Sequence, residues 1–143
     1  MKKRYVIGID PGRNTGFAIY DRETRGISLM ATLDFWAAYK HVSTQYEPAE
    51  TIVVIEVPKH SRLHEYQDGK TGDRLREKIA GDVGGIAREA ELLADGIAAA
   101  GFEVRRVTPT RSKWTAKDIQ QRTRITTRTN EHVRDAISLC YGL

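Results

Sequence analysis

The sequence predicts one α/β domain over residues 1–143, with a five-stranded mixed sheet flanked by helices in the order β-β-β-α-β-α-β-α. Two observations support this fold class. Residues 5–9 and Thr15–Asp21 are β-like and are separated by a Pro-Gly pair, which is typical of a hairpin. Thr51–Glu56 is a nearly continuous apolar run, as expected of a strand buried on both faces in the parallel part of a sheet.

A third strand and a first helix complete the first half of the chain. Residues 27–33 follow a turn and extend the hairpin into a three-stranded meander. Asp34 is a typical N-cap, and aromatic and apolar residues recur after it at helical spacing until Pro48. This pattern predicts a crossover helix to the fourth strand, with Trp36 in the core.

A long helix follows the fourth strand. Residues 59–72 are polar, lack apolar periodicity and predict a loop. From residue 73 to about residue 100, apolar residues recur at steps of four and three, which predicts an amphipathic helix. Glycines in its interior weaken it by about 1 kcal/mol each relative to alanine. Glycines kept at that cost usually permit close approach of a sheet, a partner helix or a second copy of the chain, with a helix kink as the alternative. These glycines are Gly81, Gly84 and Gly85.

The last part of the chain predicts a fifth strand and two shorter helices. Residues 102–107 are strand-like, and residues 112–121 predict a short helix within the last connection. The basic, threonine-rich residues 122–129 predict a loop. Asn130 is a typical cap for a final helix whose buried stripe includes Cys140. We expect Asp21 and His41 at the surface.

Charge and cysteine content narrow the function classes. The net charge is +4, but residues 105–128 hold eight basic residues against the single acidic Asp118, a local charge of +7 that leaves −3 for the remainder. This asymmetry predicts a polyanionic partner, with a solvated basic face as the alternative. The lone Cys140 excludes an intrachain disulfide and suits a reducing cytoplasm. We expect neither a membrane span nor a signal peptide.

Acidic residues are predicted to converge at one edge of the sheet. Right-handed crossovers place the first strand beside the fourth, so Asp10 and Glu56 leave the sheet together. His132 and Asp135 are three apart and share a face of the last helix, which its buried stripe turns toward the sheet. Converging carboxylates repel one another unless a divalent cation lies between them. The sequence therefore predicts a metal site, although Asp10 alone could simply cap a turn.

Three short motifs resemble the RuvC family of Holliday junction resolvases, which belongs to the RNase H-like superfamily. They are Ile9-Asp10-Pro11-Gly12 with Thr15-Gly16, Ile55-Glu56, and His132-Val-Arg-Asp135-Ala136. The similarity covers nearly the whole chain in element order. It implies an RNase H-like fold, a homodimer, and a Mg²⁺-dependent endodeoxyribonuclease that makes paired nicks in four-way or other branched DNA during recombination and repair.

The resemblance also implies roles for individual residues. Asp10, Glu56 and Asp135 match the family's metal-binding acids, and His132 matches a fourth catalytic position that is Asp in some members and His in others. Two Mg²⁺ ions would activate water and stabilise the leaving oxygen, with Asp10 between the ions. Mn²⁺ is expected to substitute, because imidazole is a poor ligand for Mg²⁺.

Basic residues are expected to bind the phosphates of branched DNA. Lys113 lies where the family has a DNA-contacting lysine, and the long helix resembles the family's dimerisation helix. The loop after Glu56 departs from the family, which often has a wedging aromatic residue there; Leu63 or Tyr66 could take that role. The predicted DNA-binding residues are Arg111, Lys113, Lys117, Arg122, Arg124 and Arg128.

Two other function classes remain open from the sequence. One is an RNase H-fold nuclease that acts on RNA or on an RNA–DNA hybrid. The other is a junction-binding module without catalysis, although the complete set of acids argues against it. An actin-like kinase would need two such domains, and this chain is too short for both. No small-molecule cofactor is expected.

Overall fold

The fold is known from a computed structural model, which describes residues 2–58, 73–110 and 112–143 and, for residues 73–84, the backbone alone. The predicted α/β class and element order are confirmed over these ranges, with a short helix in the last connection. The strands are β1 (Tyr5–Asp10), β2 (Thr15–Asp21), β3 (Gly26–Leu33), β4 (Thr51–Glu56) and β5 (Glu103–Val107), and the helices are α1 (Phe35–Gln45), α2 (Asp73–Ala99), α3 (Ala116–Thr123) and α4 (Glu131–Cys140). Among the described residues, no helix combines the length and the apolar character needed to cross a membrane.

The sheet places β1 at its centre. Its strand order is β3-β2-β1-β4-β5, with β1 antiparallel to β2 and parallel to β4. Ile9 pairs with Ile55, so the last residues of the two strands, Asp10 and Glu56, lie side by side at the carboxyl edge of the sheet. The predicted adjacency of these two acids is confirmed.

Helices cover both faces of the sheet. On one face, Ala38 and Val42 of α1 and apolar residues of α2 pack against Ile7 and Phe17. On the other face, apolar residues of α3 and α4, including Cys140, pack against Val6. The site residues of α4 therefore approach the sheet from the face opposite to α1 and α2.

Two strand glycines allow α4 to approach the sheet closely. A Cβ atom built on Gly16 would overlap the main-chain carbonyl group of His132. A Cβ built on Gly8 would overlap the carbonyl group of Ala136, one turn further along the helix. Any residue with a side chain at these two positions would push α4 away from β1 and β2.

Several sequence expectations need correction. Helix α3 begins at Ala116 rather than at residue 112, because Thr115 and Asp118 form a capping box that fixes its start. Trp36 is 72% exposed, since the buried face of α1 is formed by Ala38 and Val42 instead.

Two polar residues expected at the surface are covered. Asp21 is buried, because its carboxylate is held by Arg4 across the open end of the β1–β2 hairpin. His41 is half-buried, with its ring edge-on to Phe17 at 5.4 Å.

The role predicted for the glycines of α2 stays a prediction. Within the described part of the chain, nothing lies within 4 Å of a Cβ built on Gly85. A glycine that the sequence did not single out, Gly96, allows the ring of Tyr39 in α1 to lie 3.3 Å from its built Cβ. The predicted loop over residues 59–72 and its candidate wedge residues lie outside the described residues.

The ion pair between Asp21 and Arg4 is expected to make folding stability depend on acid pH. Arg4 donates Nε and Nη2 to the carboxylate at 3.0 and 2.9 Å, and these hydrogen bonds lower the pKa of Asp21. We expect Asp21→Asn to lower the free energy of unfolding at pH 7 by about 1 to 2 kcal/mol, a modest value because Arg4 is half-exposed.

The sign of the pH effect follows from the lowered pKa. The contribution of Asp21 to the free energy of unfolding is complete above the ordinary pKa of aspartate. It is lost as the pH falls through the lowered pKa of Asp21 in the folded protein. The wild type and Asp21→Asn should therefore become equally stable in strong acid. Urea denaturation between pH 2 and pH 7 measures this. Glu23→Gln removes the other, exposed partner of Arg4 and serves as control. An equal loss in both variants would contradict the prediction.

Candidate metal centre

Two of the candidate ligands come from the carboxyl edge of the sheet. Asp10 and Glu56 end the paired strands β1 and β4, and their side chains are 15% and 8% exposed. The sheet holds the main chain of both residues by ladder hydrogen bonds, so their spacing is fixed by the register. Carboxyl groups at this edge are therefore both positioned and largely shielded from water.

The third candidate ligand comes from α4. Asn130 caps this helix by accepting a hydrogen bond from the main-chain N–H of Val133, as predicted. The close approach at Gly16 and Gly8 then brings Asp135 to the sheet edge, where its side chain is 9% exposed. One carboxylate oxygen from each of Asp10, Glu56 and Asp135 lies within 4.8 Å of the other two.

The acidic cluster (Asp10, Glu56 and Asp135) brings three carboxyl groups together in a largely buried place. Burial, a hydrogen bond with Glu56, and the charges of Glu56 and Asp135 together raise the pKa of Asp10 to about 8, against the lowering effect of Lys113. The crowded carboxyl groups therefore hold a proton more tightly than an isolated aspartate would. Such a shift marks a carboxyl group that a nearby cation would ionise.

Lys113 is an unpredicted member of this site. Its Nζ atom lies 3.1 Å from Oδ2 of Asp135 and 3.8 Å from Oε1 of Glu56. Burial lowers the pKa of Lys113, but the hydrogen bond to Asp135 and the charge of Glu56 outweigh this and raise it, so the ammonium group stays charged. The sequence predicted Lys113 as a DNA contact and gave no signal for its pairing with the acids.

His132 lies at the outer side of the cluster. Its Nδ1 atom is 3.7 Å from Oδ2 of Asp10, and the side chain is 43% exposed. It shares the first turns of α4 with Asp135, as the spacing predicted. His132 can therefore reach both Asp10 and the solvent, which suits a group that holds a water molecule or transfers a proton.

The donor set fits a hard divalent cation. Carboxylate oxygens are the ligands that Mg²⁺, Ca²⁺ and Mn²⁺ prefer. Opposite oxygens around one Mg²⁺ are separated by about 4 Å, and the three carboxylate oxygens of the acidic cluster already lie within 4.8 Å of one another. Adjacent oxygens are only about 3 Å apart, so the three side chains would have to move closer together to bind one ion.

Four other predicted DNA-binding residues, Lys117, Arg122, Arg124 and Arg128, lie on and after α3. Lys117 and Arg128 line a groove of about 620 Å³ that also contains Arg134. Arg122 stacks on the ring of Trp114 with its guanidinium carbon 4.5 Å from the ring centroid, and Arg124 ends α3 in the left-handed conformation. Arg111 lies outside the described residues.

A scan of the sequence against protein-family models and a search of curated proteins both gave no match. The functional proposal therefore depends on the chemistry of the acidic cluster and its surroundings, together with the motif resemblance.

Proposed function

We propose that this chain is a metal-dependent, structure-selective endodeoxyribonuclease of the RNase H-like, RuvC type that nicks four-way or other branched DNA. One observation carries the proposal: two strand-end acids and one helix acid converge at the carboxyl edge of a mixed sheet. Basic side chains on and after α3 supply the charge that a polyanionic substrate requires.

The residues of the site have separate tasks in this proposal. Asp10, Glu56 and Asp135 would hold Mg²⁺ or Mn²⁺, which supplies an activated water and neutralises charge on the scissile phosphate. His132, beside Asp10 and open to solvent, would hold a water or protonate the leaving oxygen. The basic side chains that line the groove beside α3 would hold flanking phosphates and would not read base sequence.

Paired nicks require two active sites, so the proposal includes a homodimer. Resolution of a four-way junction cuts two strands at related positions, and each copy of the chain supplies one acidic cluster. The long helix α2 is the candidate interface because its glycines favour close approach of a second helix.

The experiment that tests the function compares three substrates. A synthetic four-way DNA junction, a linear duplex of matched sequence and an RNA–DNA hybrid are incubated with the protein in Mg²⁺, Mn²⁺ or EDTA. We expect symmetric nicks confined to the junction, absent in EDTA and absent with Asp10→Asn. Glu23→Gln, which changes an exposed carboxylate on the turn between β2 and β3, is the matched control and should cleave normally.

Other outcomes separate the alternatives. Preferential cleavage of the hybrid would show that the protein is a nuclease whose substrate contains RNA, and the proposed metal site would stand. Tight binding of the junction without cleavage in the presence of any metal would show that the protein is a junction-binding module and not an enzyme.

A further inference from the structure

Lys113 supplies a positive charge to the acidic cluster in the metal-free protein. Its Nζ atom donates to Oδ2 of Asp135 at 3.1 Å and lies 3.8 Å from Oε1 of Glu56. These are two of the carboxyl groups that a metal ion would need. One carboxylate oxygen cannot keep a close ammonium contact and also give its full charge to a cation, so the two positive charges compete.

Exposure decides which partner can move. The side chains of Glu56 and Asp135 are 8% and 9% exposed, whereas that of Lys113 is 46% exposed. The acids are fixed by the sheet and by α4, but the lysine has a flexible four-carbon chain and a free path to solvent. Arrival of a metal ion would therefore displace Lys113 rather than the acids.

The main chain of Lys113 is nevertheless held close to the site. Two residues later, Thr115 and Asp118 form the capping box that starts α3. The intervening Trp114 packs edge-on to Tyr141 of the α4 end at 6.4 Å. The ammonium group can thus leave the acids by side-chain rotation alone, while the main chain of Lys113 stays beside the acidic cluster.

We propose that Lys113 is an exchangeable internal cation: it neutralises Asp135 and Glu56 before metal binds, and metal binding releases it toward the substrate phosphate. This inference rests on the proposed metal-dependent function. It adds that Lys113 weakens metal binding to the free protein and couples metal loading to phosphate capture.

The test measures Mn²⁺ affinity without DNA. Isothermal titration of the metal-free full-length chain is compared for the wild type, Lys113→Met, Lys113→Arg and Lys40→Met. We expect Lys113→Met to bind Mn²⁺ about 10- to 100-fold more tightly, because a competing unit charge at ion-pair distance is removed. Lys113→Arg should bind no more tightly than the wild type. Lys40→Met makes the same change in net charge on the exposed side of α1, across the sheet, and should leave the affinity unchanged.

A second readout separates displacement from a merely structural role. In EDTA, Lys113→Met should unfold at a lower temperature than the wild type, and Mn²⁺ should restore more stability to it than to the wild type. Its single-turnover cleavage should nevertheless be slower, because the released cation is missing. Affinity for Mn²⁺ that is equal or weaker in Lys113→Met would overturn the inference while leaving the metal site intact. If neither the wild type nor Asp10→Asn binds Mn²⁺, or both bind it equally, the proposed function fails and the inference fails with it.

Discussion

Under the proposed function, replacing Asp10 by asparagine is expected to reduce metal-dependent cleavage by about a thousandfold or more, because a bound cation would supply several kcal/mol of charge stabilisation. The substitution keeps the shape of the side chain and removes one of the three carboxyl groups that could bind the cation. The same change should stabilise the metal-free protein. Asp10 is largely buried beside Glu56 and Asp135, where its ionised form is disfavoured, and asparagine has no carboxyl group to ionise.

The stability effect has a defined pH dependence. In the folded metal-free chain the pKa of Asp10 is about 8, above its ordinary value of 3.8, so between these values the folded state holds a proton that the unfolded state has released. The stability of the wild type should therefore fall as the pH rises from about 4 to 8. Asparagine does not ionise, so the stability of Asp10→Asn should not show this fall. At pH 9 the variant should be more stable than the wild type by about 1 to 2 kcal/mol.

Thermal unfolding in EDTA from pH 5 to pH 9 measures the difference between the two proteins. Asp95→Asn provides the control, because its carboxylate is exposed on α2 and pairs only with the exposed Arg106 among the described residues. The prediction would be wrong if Asp10→Asn were less stable than the wild type at high pH, or if it retained metal-dependent cleavage.

The placement of the acids was predictable because it follows from short-range rules. A polar residue that ends an apolar strand lies at the sheet edge, and the handedness of crossovers brought Asp10 beside Glu56. The spacing of three between His132 and Asp135, together with the buried stripe of α4, oriented both residues toward that edge. The local residue pattern and one general rule of topology were therefore enough to predict where these acids lie.

The features that the sequence did not reveal depend on contacts between distant segments. Lys113 belongs to a coil segment, whose direction is set by the capping box of α3 and by the packing of Trp114. No periodicity connects such a residue with Asp135. Burial of Asp21 likewise depends on the side chain of Arg4 at the other end of the hairpin. Trp36 fitted the helical spacing of apolar residues, yet smaller residues form the buried face of α1.

Gly16→Ala is expected to have the second large effect, because Gly16 controls the distance between α4 and the sheet. The added methyl group would overlap the carbonyl of His132, which is main chain and cannot rotate away. We expect the free energy of unfolding to fall by about 3 kcal/mol, the upper end of the usual range for overpacked cores, because the overlap is with main chain. The movement of α4 should also carry Asp135 away from Asp10 and Glu56, so Mn²⁺ affinity should fall together with stability.

Gly26→Ala is the matched control for this prediction. Nothing lies within 4 Å of a Cβ built on Gly26, so the same chemical change there should alter the stability little. Gly8→Ala supplies an independent variant, because it meets the carbonyl of Ala136 on the next turn of α4. Urea denaturation gives the stability, and titration of the folded protein with Mn²⁺ gives the affinity. If Gly16→Ala matched Gly26→Ala in both measurements, α4 would lie further from the sheet than described, and Asp135 could not join Asp10 and Glu56 at one metal ion.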